Sequence, residues 1–193
     1  SDVYFNREIF LMDDNNRLTD VAGVPPDYFA EDGQLWGNPL YDWSALEKTD
    51  YKWWKDRIAA SLELFDGVRI DHFRAFESFW AVDGNAKTAR EGKWVKGPGM
   101  KLINALKSVA GDKLIIAEDL GDITDEVREL VDKSGFPGMR VFQFGFLDDG
   151  NSIHMPHNYI RNSVAYSGTH DNNTLFGFLW ESDEATRRRA LDY

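Results

Sequence analysis

The sequence predicts an α/β fold built from parallel β/α units. Three observations carry this. Short, nearly continuous apolar runs begin near residues 68, 113, 139 and 163, as strands covered on both faces do. Helical patterns alternate with these runs. Acidic residues stand where the strands give way to loops, the rim on which α/β sheets build their sites.

Residues 1–50 are rich in turn signals: Asp13-Asp14-Asn15-Asn16, Pro25-Pro26, Asp32-Gly33 and Asn38-Pro39. They hold no long periodic helix. The reading is a long, aromatic-rich loop region over the active-site face. Tyr28, Phe29, Trp36, Tyr41 and Trp43 argue against disorder there. Residues 51–65 form an amphipathic helix, with Trp54, Ile58, Leu62 and Phe65 on one side. Asp66-Gly67 breaks it, and 68–71 is a short strand. A helix with an aromatic side is expected over 73–82. Residues 83–99 hold five Gly or Pro and read as loop. A helix covers 100–110, with Leu102, Ile103, Leu106 and Val109 on one face.

Lys113 to Ala117 is a buried strand that delivers Glu118-Asp119. The helix at 124–133 has Thr124 as N-cap, Asp125 and Glu126 in its first turn and Gly135 as its stop. Residues 139–146 are the next strand and 147–162 loop or short helix. A strand over 163–169 ends in His170-Asp171. Helices follow at 174–180 and 183–192, the second capped by Ser182. No repeat, linker or boundary divides residues 1–193, which read as one segment.

Composition narrows the function. The chain has 193 residues, with 22 Lys+Arg against 33 Asp+Glu, a net charge of −11. An acidic balance disfavours nucleic acid, whose phosphates need basic partners. There is no cysteine, hence no disulfide framework, thiolate metal site or cysteine nucleophile. No apolar run spans a bilayer, and the N-terminus lacks a basic head and apolar signal core. A soluble intracellular protein is expected. Aromatics reach 14%, enough both to fill a core and to line a groove that stacks on sugars.

Asp71, Glu118 and Asp171 share one position in the pattern, the end of a strand. One such residue more often starts a turn or caps a helix. Three at successive strand ends, flanked by His72, Asp119 and His170, point to a site. Paired carboxylates suit glycoside chemistry, one ionised and one protonated, with a separation of about 5 Å giving retention. Repulsion and burial raise one pKa and leave the other low. Arg69 faces the same side of its strand as Asp71 and helps keep it ionised.

These residues fall in motifs that resemble the 4-α-glucanotransferases of glycoside hydrolase family 77, the amylomaltases or disproportionating enzymes of the α-amylase clan. The segments are GVPPDYFAEDGQLWGNPLY (23–41), GVRIDHFRAF (67–76), IIAEDLGDIT (115–124) and GTHDNNTL (168–175). WVKGPGMKL (94–102), PGMRVFQF (137–144) and PHNY (156–159) match more weakly. The resemblance covers essentially the whole chain. It implies an α/β fold that is a portion of a (β/α)8 barrel, with about four clear parallel strands. The length falls short of the roughly 250 residues of a complete barrel. The chain is therefore expected to be the catalytic middle of a larger enzyme. Open strand edges would leave it partly unfolded, self-associated or completed by another chain.

The resemblance further implies transfer of α-1,4-glucan segments to an acceptor glucan or glucose, by retaining double displacement. Asp71 corresponds to the nucleophile, Glu118 to the general acid/base, and Asp171 to the carboxylate that holds sugar hydroxyls and favours ring distortion. Arg69 and His170 match residues around that sugar. Asp27, Tyr28 and Phe29 lie in the loop that guides the glucan, Trp36 near the acceptor, Phe144 in the groove, and Asn158 in PHNY. No cofactor or metal is implied. The partners are α-1,4-glucans and maltooligosaccharides, with no nucleic acid and no membrane. The expected place is bacterial cytoplasm, or the plastid of a plant. Asn173 departs from the family's Asp. The alternatives are an α-glucan hydrolase of the same clan and an inactive fragment.

His154 and His157, three apart in a loop, are weak metal evidence. Asp13 to Arg17 fails as a calcium loop, because Arg17 stands where an oxygen is needed. Arg187-Arg188-Arg189 reads as a solvated helix face, Asn172-Asn173-Thr174 as an incidental sequon, and Trp53-Trp54 as core.

Overall fold

The structure is a computed structural model that describes residues 2–27, 30–147 and 152–193. It begins with a short helix, α1 (Asp2–Phe5), and a 3₁₀ turn, Arg7–Ile9. Two strands follow, β1 (Asp20–Val24) and β2 (Gln34–Pro39), and then α2 (Trp43–Lys48) and α3 (Lys52–Leu64). The loop reading of residues 1–50 is thus corrected, because β1 and β2 pair antiparallel.

The first parallel unit runs from β3 (Gly67–Ile70) through β4 (Ser78–Asp83), β5 (Gly92–Lys96) and α4 (Met100–Ala110) to β6 (Leu114–Ala117). β3 and β6 pair in parallel, with Gly67 opposite Leu114 and Ile70 opposite Ala117. The helix expected over 73–82 is absent. Phe73–Phe76 is a 3₁₀ turn that buries Phe73 and Phe76, and β4 replaces the rest. The reason is pairing: β4 lies between β1 and β5, in a four-stranded antiparallel sheet of order β2-β1-β4-β5. The loop expected over 83–99 therefore also contains a strand. Gly92 is placed by sterics, since a Cβ there would sit 2.4 Å from the Trp80 ring.

After β6 come α5 (Asp125–Ser134), β7 (Gly138–Val141), β8 (Ser163–Tyr166), α6 (Leu175–Glu181) and α7 (Glu184–Asp192). β7 and β8 pair in parallel. Both are shorter than expected. β7 passes into a 3₁₀ turn at Phe142–Phe146, and β8 stops five residues before Asp171. α7 is capped by Asp183, whose side chain accepts from the Thr186 N–H; Ser182 closes α6 instead. Gly135, left-handed at φ 70°, ends α5 as expected.

The main core lies where α3, α4 and α5 cover β3 and β6. It contains Trp54, Ile58, Leu62, Ile70, Leu102, Ile103, Leu106, Ile115 and Leu130. Burial of such side chains contributes roughly 1.5–3 kcal/mol each and fixes the strand ends that follow. No described helix is long and apolar enough to cross a membrane.

Candidate active site

Each strand end delivers its side chains in a fixed order. Along β3, Arg69 and Asp71 share one face, and Ile70 turns into the core. The Arg69 Nη2 lies 2.6 Å from the Asp71 Oδ1, and its Nε donates to the Met139 Sδ at 3.3 Å. Asp71 is largely exposed. The chain then turns through His72 in a left-handed conformation, φ 49°.

That turn aims the His72 N–H at the end of β6. It donates to the Glu118 Oε2 at 2.6 Å, and the Leu120 N–H donates to Oε1 at 2.8 Å. Glu118 is only 9% exposed. Burial pushes its carboxyl above the ordinary range. The two N–H donors oppose the rise, the Asp71 charge adds to it, and Arg69 opposes it. Two carboxylates on neighbouring strand ends thus have unlike surroundings. One is solvated and paired with a guanidinium; the other is buried and biased toward its protonated form.

Both line one cleft of about 590 Å³. Its wall also includes Val24, Pro25, Asp27, Gln34 and Trp36 from the β1–β2 region, Phe144 after β7, and Thr169, Asp171 and Asn172 after β8. Asp171 is exposed and sits on a turn in which the Asn172 Oδ1 accepts from the Thr169 N–H at 2.8 Å and Oγ1 at 2.9 Å. Among the described residues that line this cleft, five are Asp or Glu and two are Arg. That acidic balance disfavours a phosphorylated ligand.

The cleft therefore gathers Asp27, Trp36, Arg69, Asp71, Glu118, Phe144 and Asp171. His170 is not in its wall; it stands exposed beside Asp171, Nε2 to Oδ2 3.4 Å. Asn158 is not in its wall either. It lies on the 3₁₀ turn Pro156–Asn158, where its amide donates to the Ser152 carbonyl, away from the cleft. Tyr28 and Phe29 lie outside the described residues. His154 and His157 serve different neighbours: the His154 Nδ1 accepts from the Val141 N–H, and His157 stacks on Tyr193.

Sequence reasoning missed His72, Arg74, Trp94 and Asp122. His72 packs edge-on against Trp36, centroids 4.9 Å apart. Its pKa falls to about 4, first through burial and then through Arg74, with Asp71 opposing. Arg74 is buried beneath Trp94, 4.2 Å from the ring centroid, and donates to the Asp122 carbonyl. His72 and Arg74 were within reach, because they follow Asp71 in the same motif. Trp94 was not, because its strand had been read as loop.

A family model described as 4-alpha-glucanotransferase matches residues 1–193. The chain is 52% identical to a 4-alpha-glucanotransferase of Clostridium butyricum, over all of the chain and 40% of that protein. It is 48% identical to a chloroplastic/amyloplastic 4-alpha-glucanotransferase of Arabidopsis thaliana, over all of the chain and 34% of that protein. Among solved structures it is similar to the amylomaltase from Streptococcus agalactiae in complex with acarbose. The TM-score is 0.93 at 41% identity, covering all of the chain and 39% of that one. The chain spans about two fifths of the length of these bacterial relatives.

Proposed function

The chain belongs to the 4-alpha-glucanotransferase family, glycoside hydrolase family 77, and from that premise we propose that it carries the catalytic carboxylates of a retaining α-1,4-glucan transferase. The observation that carries this reading is the contrast between Asp71 and Glu118 on one cleft wall. Asp71, paired with Arg69, is the nucleophile. Its carboxylate attacks the anomeric carbon while the protonated Glu118 gives its proton to the leaving glucan oxygen. Glu118, now ionised, takes the proton of an incoming sugar 4-hydroxyl, and that oxygen displaces Asp71. Burial biases Glu118 toward the protonated form that the first half requires.

Asp171, across the cleft, accepts from sugar hydroxyls and favours ring distortion. Asp27, Trp36 and Phe144 guide the glucan, and Tyr28 and Phe29 complete that guide. His170 borders the same sugar. α-1,4-Glucans and maltooligosaccharides are the ligands; the acarbose in the similar amylomaltase fits this class. β3, β6, β7 and β8 then form a portion of a (β/α)8 barrel. The place of action is the cytoplasm of a bacterium or, given the plastid relative, the plastid of a plant. Transfer exceeds hydrolysis where the acceptor is held and water excluded. Product analysis of the full-length polypeptide on maltotriose tests the reading. Glucose plus longer maltooligosaccharides is the expected result; only shorter sugars would make it a hydrolase.

A further inference from the structure

Asp119 follows the proposed acid/base and points the other way. It is 9% exposed, as is unusual for a carboxylate, and Arg140 beside it is 7% exposed. The Asp119 Oδ1 accepts from the Met139 N–H at 2.6 Å, and Oδ2 lies 3.4 Å from the Arg140 Nη1. Two residues earlier, the Ala117 N–H donates to the Pro137 carbonyl at 2.9 Å. The Asp119 side chain thus supplies the next acceptor along the junction of β6 and β7. Gly138 makes room for it, since a Cβ there would meet Oδ2 at 2.3 Å.

We propose that Asp119 is a positioning residue for the transfer reaction, locking the β6 end to β7 so that Glu118 meets the scissile oxygen. This inference rests on the reading of Glu118 as acid/base. Glu118 takes main-chain donors from the β3 side, through His72, and from its own loop, through Leu120. Neither of those two contacts reaches β7; the Asp119 carboxylate, which follows the Ala117–Pro137 hydrogen bond along the same junction, does.

The test compares two reactions of the full-length polypeptide. With maltotriose, Glu118 must protonate the leaving oxygen. With α-maltosyl fluoride as donor and azide as acceptor, no proton moves through Glu118. The C1–F bond breaks, fluoride leaves with its electron pair, and the Asp71 carboxylate bonds to C1. Azide then displaces that carboxylate. Asp119→Ala is expected to lose maltotriose turnover at least about tenfold relative to fluoride–azide turnover. Asp119→Asn keeps an acceptor for the Met139 N–H and recovers part of that loss. Equal losses on both reactions would mean a merely structural role and overturn the proposal. If Asp119→Ala does not fold, Gly138→Ala, which crowds the carboxylate from the far side, is read the same way. Glu118→Gln run in parallel separates the two ideas. If it also loses both reactions equally, the acid/base reading fails; if it is selective while the Asp119 and Gly138 variants are not, only the present inference fails.

Discussion

The two sides of the cleft are built differently. On the β3–β6 side, Asp71 and Glu118 leave their strands at once, and main-chain donors from both strand ends converge on Glu118. The helices behind that side hold the main core. On the β8 side, Asp171 stands five residues beyond the strand, on an exposed turn held by Asn172. One wall is rigid by construction. The other depends on a local side-chain brace. The groups proposed to exchange bonds and protons with the substrate sit on the first, and the group proposed to grip its hydroxyls sits on the second.

Variants that break this contrast should differ in size. Asp71→Asn removes the proposed nucleophile, and turnover of maltotriose should fall by roughly 10⁴-fold or more. Glu118→Gln should cost roughly 10²–10⁴-fold, without loss of glucan affinity by calorimetry. Asn172→Ala tests the weaker wall. Its brace is half-buried and outside the main core, so turnover should drop by up to about a hundredfold while the melting temperature hardly moves. A fall in melting temperature matching the activity loss would show that this wall, too, is part of the core.

His72 sharpens the rigid side through pH. Its folded pKa is about 4 against 6.5 ordinarily. Between those values the unfolded chain binds a proton that the folded one refuses. Stability is therefore full above 6.5, falls as pH drops, and stops falling near 4, for a total of about 3 kcal/mol. Asn accepts the left-handed backbone at this position. His72→Asn should flatten that part of the stability curve in thermal melts across pH 4–7. The smallest effect is expected at Asn158, which the fold keeps from the cleft. Asn158→Ala should leave kcat/KM within about twofold and stability within about 0.5 kcal/mol.

What the sequence disclosed follows from the strength of each signal. The parallel strands were legible because they read as short apolar runs between helical patterns, Leu114 to Ala117 being the clearest, with Ile115 and Ala117 buried. The antiparallel sheet was not. β2 is QLWGNP, mostly exposed, with turn-forming residues inside it, and β5 is an edge strand bounded by glycine. Arg69, Asp71 and Glu118 were legible because a strand end fixes their direction. Asp171 was found by the same rule although its strand is shorter than expected. Asn158 was carried by a short motif with no strand to aim it, and it falls elsewhere. Trp94 was hidden with β5. His72 lay within the motif, but its contacts with Trp36 and Glu118 follow from its left-handed backbone, which the motif does not spell out.

The two main-chain hydrogen bonds to Glu118 have a stereochemical consequence. A carboxylate oxygen has two lone pairs, and here each oxygen has given one to an N–H. A proton on this group must occupy one of the pairs that remain. Its O–H vector is thereby confined to a narrow set of directions before any sugar arrives. In the proposed acid/base role, the same geometry that holds the side chain selects the lone-pair trajectory along which it meets a glycosidic oxygen, and so which face of the linkage is offered for cleavage.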